Sequence, residues 1–238
     1  MKASCEYKVK ILKNSSRGCT SSCAHIGISL NNAKHVGRKL NELLSWASQT
    51  YKQVQLDIYD DIHAYNIQLE KNLDNTEALS RARKMGDQWV EKNYPVLSQF
   101  PHIQHYRFSD LSDSLPLEGR IQHLQDLYTE NTVFSNLINK DIYSYITRLE
   151  TRGSKILQEK RNHILNLSRK YILDELALMS LLNETKDFVE IYAGEFLGIL
   201  TAPQRLGIKG LPEGLKNYHI IEVDFIRRTK ESELKDVV

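Results

Sequence analysis

The sequence predicts an α/β fold: a Rossmann-like, mostly parallel sheet with helices on both faces. Short apolar runs bounded by turn residues alternate with segments of helical period. The run Cys23–Leu30 (CAHIGISL) is nearly apolar throughout, as a parallel strand covered on both faces must be. The 238 residues contain no Pro/Gly/Ser-rich linker, so the elements are expected to form a single domain spanning 1–238.

Taken in order, Glu6–Leu12 (EYKVKIL) alternates like an edge strand, and Cys23–Leu30 reads as the first buried strand. After a turn at Asn31-Asn32, Val36, Leu40, Leu43, Leu44 and Ala47 recur at helical spacing from about His35 to Tyr51. Val54–Asp60 (VQLDIYD) follows as a strand, which completes a β-α-β unit. A helix from Thr76 to about Asn93 has a start signal in Asp74/Asn75, and Tyr94-Pro95 should end it, because a residue before proline avoids the α region. Gln104–Phe108 is a further strand. Leu115 to about Leu197 is almost continuously helical in pattern, broken near Gly153 and Asn183, and Tyr218–Val223 is the last strand.

Thirty-two Lys/Arg against thirty Asp/Glu give a net charge of +2, so any nucleic-acid surface must be local. No apolar run approaches the roughly 18 residues of a membrane span, and the first residues form no hydrophobic leader; a cytoplasmic protein is expected. Three cysteines, Cys5, Cys19 and Cys23, are too few for a disulfide framework. Cys19, Cys23 and His25 could begin a zinc site, but no second Cys/His pair follows at ligand spacing, so no metal is expected.

In such a sheet ligands bind beyond the carboxyl ends of the strands, which directs attention to the turn after Cys23–Leu30. Ser29 stands there. The surrounding GISLN lacks the further glycines of a dinucleotide fingerprint and the Gly-Lys-Ser/Thr of a phosphate loop, which disfavours NAD and ATP. Ser29 is then either a helix-capping serine or a nucleophile. As a nucleophile it could serve a serine hydrolase or esterase with His219, in the chain order Ser, acid, His. Against that, Asn31 replaces the second glycine of the nucleophile elbow, and no glycine-rich segment supplies an oxyanion hole. His25-Ile26-Gly27-Ile28 is similar to the His-Ile-Gly-His signature of class I aminoacyl-tRNA synthetases, but it lacks the final histidine and no Lys-Met-Ser-Lys-Ser partner occurs. Such a chain could not be expected to activate amino acids, but could accept them preactivated.

Gly27-Ile28-Ser29 with Asn32, then Leu43-Leu44-Ser45-Trp46-Ala47, then Glu195 with Pro203 eight residues on, then Tyr218-His219 occur in an order and spacing that resembles the cyclodipeptide synthases. Those enzymes join the amino acids of two aminoacyl-tRNAs into a cyclic dipeptide and fold like the catalytic domain of class I tyrosyl- and tryptophanyl-tRNA synthetases. The resemblance implies an aminoacyltransferase with Ser29 as nucleophile in a ping-pong mechanism, and Glu195, on a helix, gripping and later deprotonating the amino group. It further implies Tyr218 and His219 in proton relay, Asn32 supporting the serine loop, and no cofactor, since the tRNA ester carries the activation. The family tyrosine four residues before the glutamate is replaced by Ile191, with Tyr192 one residue later; on a helix Tyr192 would lie about 60° from Glu195. The resemblance also places Gly27, His25, Asp57 and Lys216 at the substrate. His25, Asp57 and Lys216 are polar here where family members taking leucine or phenylalanine are apolar, so a polar or charged first amino acid is expected.

The tRNA would need a phosphate-binding face. Arg81, Lys84 and Lys92 fall within an arc of about 80° on one helix, beside an apolar stripe of Ala82, Met85 and Trp89. From Arg148 to Lys170 seven Lys/Arg face only Glu150 and Glu159, a local charge of +5. Either could instead be an ordinary solvated surface, in keeping with a noncatalytic tRNA-binding module or none. No sustained heptad seam is present, and a monomer is the default expectation.

Overall fold

The computed structural model describes residues 6–15, 21–151, 158–186 and 188–227. Cys5, Cys19, the break near Gly153, and Arg152 and Lys155 of the second basic cluster lie outside the described residues. Six strands form one sheet: β1 (Tyr7–Asn14), β2 (Cys23–Ile28), β3 (Gln53–Ile58), β4 (Gln104–Arg107), β5 (Val189–Tyr192) and β6 (His219–Arg227), in spatial order β1-β6-β5-β2-β3-β4. All neighbours are parallel except β1 and β6. This is the mostly parallel α/β sheet the alternation predicts.

The strand order determines where a site can form. From β2 the chain crosses to β3 and β4 on one side; from β5 it crosses to β6 on the other. The loops leaving β2 and β5 therefore diverge, opening a crevice at the carboxyl ends of two adjacent strands. Ser29 heads the first loop, and Ala193, Gly194 and Glu195 lie in the second.

The two sheet faces differ. Register aligns Ala24, Ile26 and Ile28 with Val54, Leu56 and Ile58, and with Val189, Ile191 and Ile221, on one apolar face. It packs against Leu40, Leu43, Leu44 and Ala47 of α1 (Gly37–Thr50) and Trp89 of α3 (Asn75–Leu97). The alternate residues His25, Gly27, Asp57, Glu190, Tyr192 and Tyr218 share the other face with Ile220. That face lies beneath α2 (Asp60–Lys71), α6 (Thr132–Thr151) and α7 (Gln158–Thr185), which contribute Ile62, Ile138, Ile142, Ile172, Leu176 and Met179 to a second core.

Two expectations about local structure are corrected. Helix α3 starts as predicted, with the Asp74 side chain accepting a hydrogen bond from Glu77 N–H at 2.9 Å, but it runs through Pro95 to Leu97. The avoidance of α geometry before proline is a bias, and here the extra turn packs Val96 and Leu97 against the apolar core. The long helical stretch to Leu197 also breaks earlier than expected: Val189–Tyr192 is a strand, inserted between β2 and β6. Four residues are too few for period to distinguish a buried strand from a helix segment.

Candidate active site

Ser29 follows β2 directly, and its backbone carbonyl accepts from Asn32 N–H at 3.1 Å, which closes a tight turn. The Asn32 side chain is used at both ends: Oδ1 accepts from Lys34 N–H at 2.9 Å, and Nδ2 donates to Ala193 O at 2.9 Å. That last bond ties the β2 loop to the β5 loop across the crevice. Tyr192, the last residue of β5, turns its phenol toward the side chains of Ser29 and Asn32; burial raises its pKa, the charge of Glu175 adds to this, and the proximity of the polar Asn32 and Ser29 side chains opposes it. It is therefore a neutral hydroxyl beside the serine.

His35 is fully buried and holds the serine from the other side. Its Nδ1 accepts the Ser29 N–H at 2.9 Å, and its own carbonyl accepts from the Trp89 indole N–H at 3.1 Å. Burial lowers its pKa to about 4, so the ring is neutral with the proton on Nε2. Asn93 Oδ1 of the same helix accepts from Gly37 N–H at 3.0 Å. The helix carrying Arg81, Lys84 and Lys92 thus anchors the segment that follows the serine. Read as a helix start, His35 gave no sequence signal of this role.

Below the crevice lies a buried charge set. His25 is hydrogen-bonded through Nδ1 to Glu190 and through Nε2 to Asp57. Burial opposes an imidazolium there, but the two carboxylates outweigh it and raise the His25 pKa well above its ordinary value. Glu190 also accepts from the Tyr218 hydroxyl at 3.1 Å and from Gly27 N–H at 3.2 Å, and Asp57 from the Gln55 amide at 3.0 Å. Gly27 has to be glycine at this point: a Cβ there would stand 2.9 Å from the Tyr59 ring and 3.0 Å from Glu190 Oε1.

Over this set opens a cavity of about 210 Å³, lined by Tyr59, Glu190 and Tyr192 from the sheet side, Asp141 and Tyr145 from α6, Ser168 and Glu175 from α7, and Glu195 with Phe196 from the β5 loop. Burial, with the charges of Glu190 and Asp141, pushes the Glu175 carboxyl up to about 8. Burial likewise raises Asp141, whose oxygens accept from Gly198 N–H at 2.8 Å and Ile199 N–H at 3.1 Å. Among the described residues no cluster of His, Cys, Asp and Glu has the arrangement of a metal site, and no helix is long and apolar enough to cross a membrane.

Of the residues read from sequence, Ser29, Asn32, Gly27, His25, Asp57, Tyr192 and Tyr218 thus share one end or one face of the sheet. Glu195 reaches the cavity too, but from a loop rather than the expected helix, with its side chain 79% exposed and 3.5 Å from Arg148. On a strand Ile191 and Tyr192 face opposite sides, so Tyr192 alone turns toward the serine. His219 is elsewhere. Ala24 is level with Val189, and Val189 with His219, so Ser29 lies five residues further along, about 16 Å at the strand rise, and two strands across. The His219 side chain belongs to the opposite, apolar face and approaches Ser15 O at 3.4 Å. A Ser29–His219 hydrolase dyad and a His219 relay are both excluded by this separation. Lys216 ends the short helix α9 (Glu213–Lys216), bonds Glu213 at 2.6 Å and does not line the cavity. Arg81, Lys84 and Lys92 are exposed along α3, Arg81 paired with Glu77 at 2.8 Å.

No family model and no curated relative matches the chain. Solved structures do. A CDPS from Fluoribacter dumoffii superposes with a TM-score of 0.80 at 22% identity, over 93% of this chain and 99% of that one. A cyclodipeptide synthase from Bacillus thermoamylovorans gives 0.70 at 19% identity, over 93% and 97%. The fold is that of the cyclodipeptide synthases. A third structure with this fold, the cyclodipeptide synthase from Candidatus Glomeribacter gigasporarum bound to Phe-tRNAPhe, gives 0.59 at 20% identity, over 87% and 88%.

Two outcomes test the electrostatics. Replacing His25 by Gln removes the cation between two enclosed carboxylates; a loss of about 3–5 kcal/mol is expected in urea unfolding, as for other broken buried pairs. Glu175 keeps its proton to about pH 8 when folded but loses it near 4.5 when unfolded, so folding takes up a proton between these values and stability falls as pH rises through that window. Glu175→Gln removes this linkage. It should match the wild type at pH 4 and exceed it by a few kcal/mol at pH 8, as read from unfolding curves at both pH values.

Proposed function

We propose that the protein is a tRNA-dependent cyclodipeptide synthase working through an aminoacyl-Ser29 intermediate in a ping-pong sequence. The observation that carries this is the proximity, at the switch point of the sheet, of the Ser29 and Asn32 side chains to the Tyr192 phenol, which lines the adjoining cavity. The solved structures sharing the fold support it, one of them bound to Phe-tRNAPhe.

The chemistry balances without an added cofactor. Ser29 Oγ attacks the ester carbonyl of the first aminoacyl-tRNA, the bond to the ribose oxygen breaks, and the serine proton passes to that oxygen with Tyr192 as the adjoining hydroxyl. The freed α-amine of the acyl-serine then attacks the second aminoacyl ester and releases the second tRNA. Closure follows when the new terminal amine attacks the serine ester and Ser29 Oγ departs with a proton. Glu195, beside the crevice, takes the amino group of the first residue. Its exposure fits a group that meets substrate at the mouth, and Arg148 holds it until then.

The exposed cations Arg81, Lys84 and Lys92, and the basic segment from Arg148 to Lys170, serve the RNA backbone through sequence-independent phosphate contacts. The link from α3 through Trp89 to His35 then joins the phosphate-binding helix to the nucleophile's turn.

Incubation with a mixed aminoacyl-tRNA pool should add one aminoacyl mass to the intact protein and release cyclic dipeptides. Ser29→Ala, with its fold retained by circular dichroism, should do neither. A Ser29→Ala protein that still releases product would refute the serine mechanism, and tRNA binding with no adduct on the wild type would leave only a binding module. Neutralising Lys84 or Lys92 should lower the slope of log affinity against log salt by about one for each phosphate no longer neutralised; an unchanged slope removes α3 from the RNA footprint.

A further inference from the structure

Two hydroxyls at the cavity have no partner among the described residues. Tyr59 Oη and Ser168 Oγ are both enclosed, their residues being 8% and 6% exposed, and both residues line the same cavity from opposite sides. Buried hydroxyls without a hydrogen bond cost free energy, about 1–3 kcal/mol each, unless a ligand completes them. The charges around them are also unbalanced. Three enclosed carboxyl groups, Asp141, Glu175 and Glu190, line the cavity; among the described residues the one enclosed cation near them, His25, lies beneath and is shared by Glu190 and Asp57, and Arg148 stands at the exposed rim, engaged with Glu195. Apolar wall remains between these groups, from Ile142, Ile172, Met179, Phe196 and Leu200.

We propose that this cavity receives a cationic amino-acid side chain, an ammonium or guanidinium, whose methylene stem lies along the apolar wall and whose head bonds Glu175 and the free hydroxyls. This rests on the reading of the chain as a cyclodipeptide synthase and names the substrate that reading leaves open. Every aminoacyl group brings one α-ammonium, which Glu195 at the crevice can take. The carboxyls further in are more enclosed than Glu195 and serve a second positive charge. A long cationic side chain suits a site with apolar sides and an acidic end, because its stem and its head have opposite preferences. With no cation bound, Glu175 holds a proton, so the empty cavity carries less unbalanced charge; a cation displaces that proton and finds the carboxylate ready. A neutral, apolar side chain would leave both hydroxyls unpaired and the surplus of acids unanswered.

The test presents the purified protein with lysyl-, arginyl-, methionyl- and leucyl-tRNA, each alone and in pairs, and reads the Ser29 adduct by intact mass and the products by mass spectrometry. The expected result is a lysyl or arginyl adduct, formed at least tenfold faster than the methionyl one, with the same residue in the cyclic product; whichever of the two forms tells ammonium from guanidinium. In Glu175→Gln the ratio of kcat/KM for the cationic over the methionyl substrate should fall at least tenfold, and in Tyr59→Phe severalfold. Cyclic dipeptides containing neither lysine nor arginine would overturn the inference and leave the synthase reading standing. An unchanged ratio in Glu175→Gln would overturn it as well. Absence of any adduct from any charged tRNA would remove the synthase reading, and the inference with it.

Discussion

The site is built on a charge arrangement that the sheet cannot avoid. His25, Asp57 and Glu190 occupy three neighbouring strands, β2, β3 and β5, at positions that register brings to one face. Each alone would be an isolated ion or an unpaired polar group inside the protein, at a cost of several kcal/mol. Together, and with Tyr218, Gly27 and Gln55 supplying further hydrogen bonds, they are satisfied. The same arrangement dictates a glycine at position 27, brings the Tyr59 edge against it, and sets the Glu190 carboxylate as the floor of the cavity. One-residue slippage of any of the three strands would send its polar member into the apolar face, so the charge set also fixes register.

Above that floor, topology does the remaining work. Adjacent parallel strands whose connections leave in opposite directions always open a crevice, but the crevice has no chemistry until its two loops are held together. Here Asn32 holds them through Ala193, and His35 holds the serine backbone by accepting its N–H. A neutral histidine suits this task better than a charged one. With its pKa near 4 it accepts rather than donates at Nδ1 throughout the physiological range, so the turn does not loosen with pH.

How much of this was legible varies with the kind of signal. The sheet was readable because β2 is a nearly continuous apolar run and β3 alternates polar and apolar residues, and Ser29 because it stands where the first run ends before a helix. β5 was not, since VEIY sits at the end of a long helical pattern and contains too few residues to declare a period. Missing it moved Glu195 onto an imaginary helix and hid Glu190, whose role exists only once β5 lies beside β2. His219 misled for a related reason. Its neighbour Tyr218 does reach the site, through Glu190, but consecutive strand residues face opposite sides, and sequence proximity says nothing of which end of the sheet a strand begins at. The Glu175 and Ser168 contributions come from α7, where a helix interior conceals which residues meet a cavity and which a neighbouring helix.

A near-neutral net charge conceals two opposed local fields. Helix α3 exposes Arg81, Lys84 and Lys92, and the sequence from Arg148 to Lys170 carries a charge of +5, while the cavity is lined by acids. An aminoacyl-tRNA has the complementary polarity: a long polyanion ending in an ester that carries an ammonium. A site of one sign could hold only one of these parts. On the function proposed above, the cations of α3 would meet the phosphates of the RNA, and the acidic cavity on the other face of the sheet would take its charged tip. The order matters, because a cation admitted without its RNA would bring no activated ester, and RNA held without a seat for its tip would bring the ester no closer than the rim. On that proposal the two fields meet at the turn that carries Ser29, which is tied to α3 through His35 and Trp89 and has Tyr192, a residue of the cavity wall, on its other side.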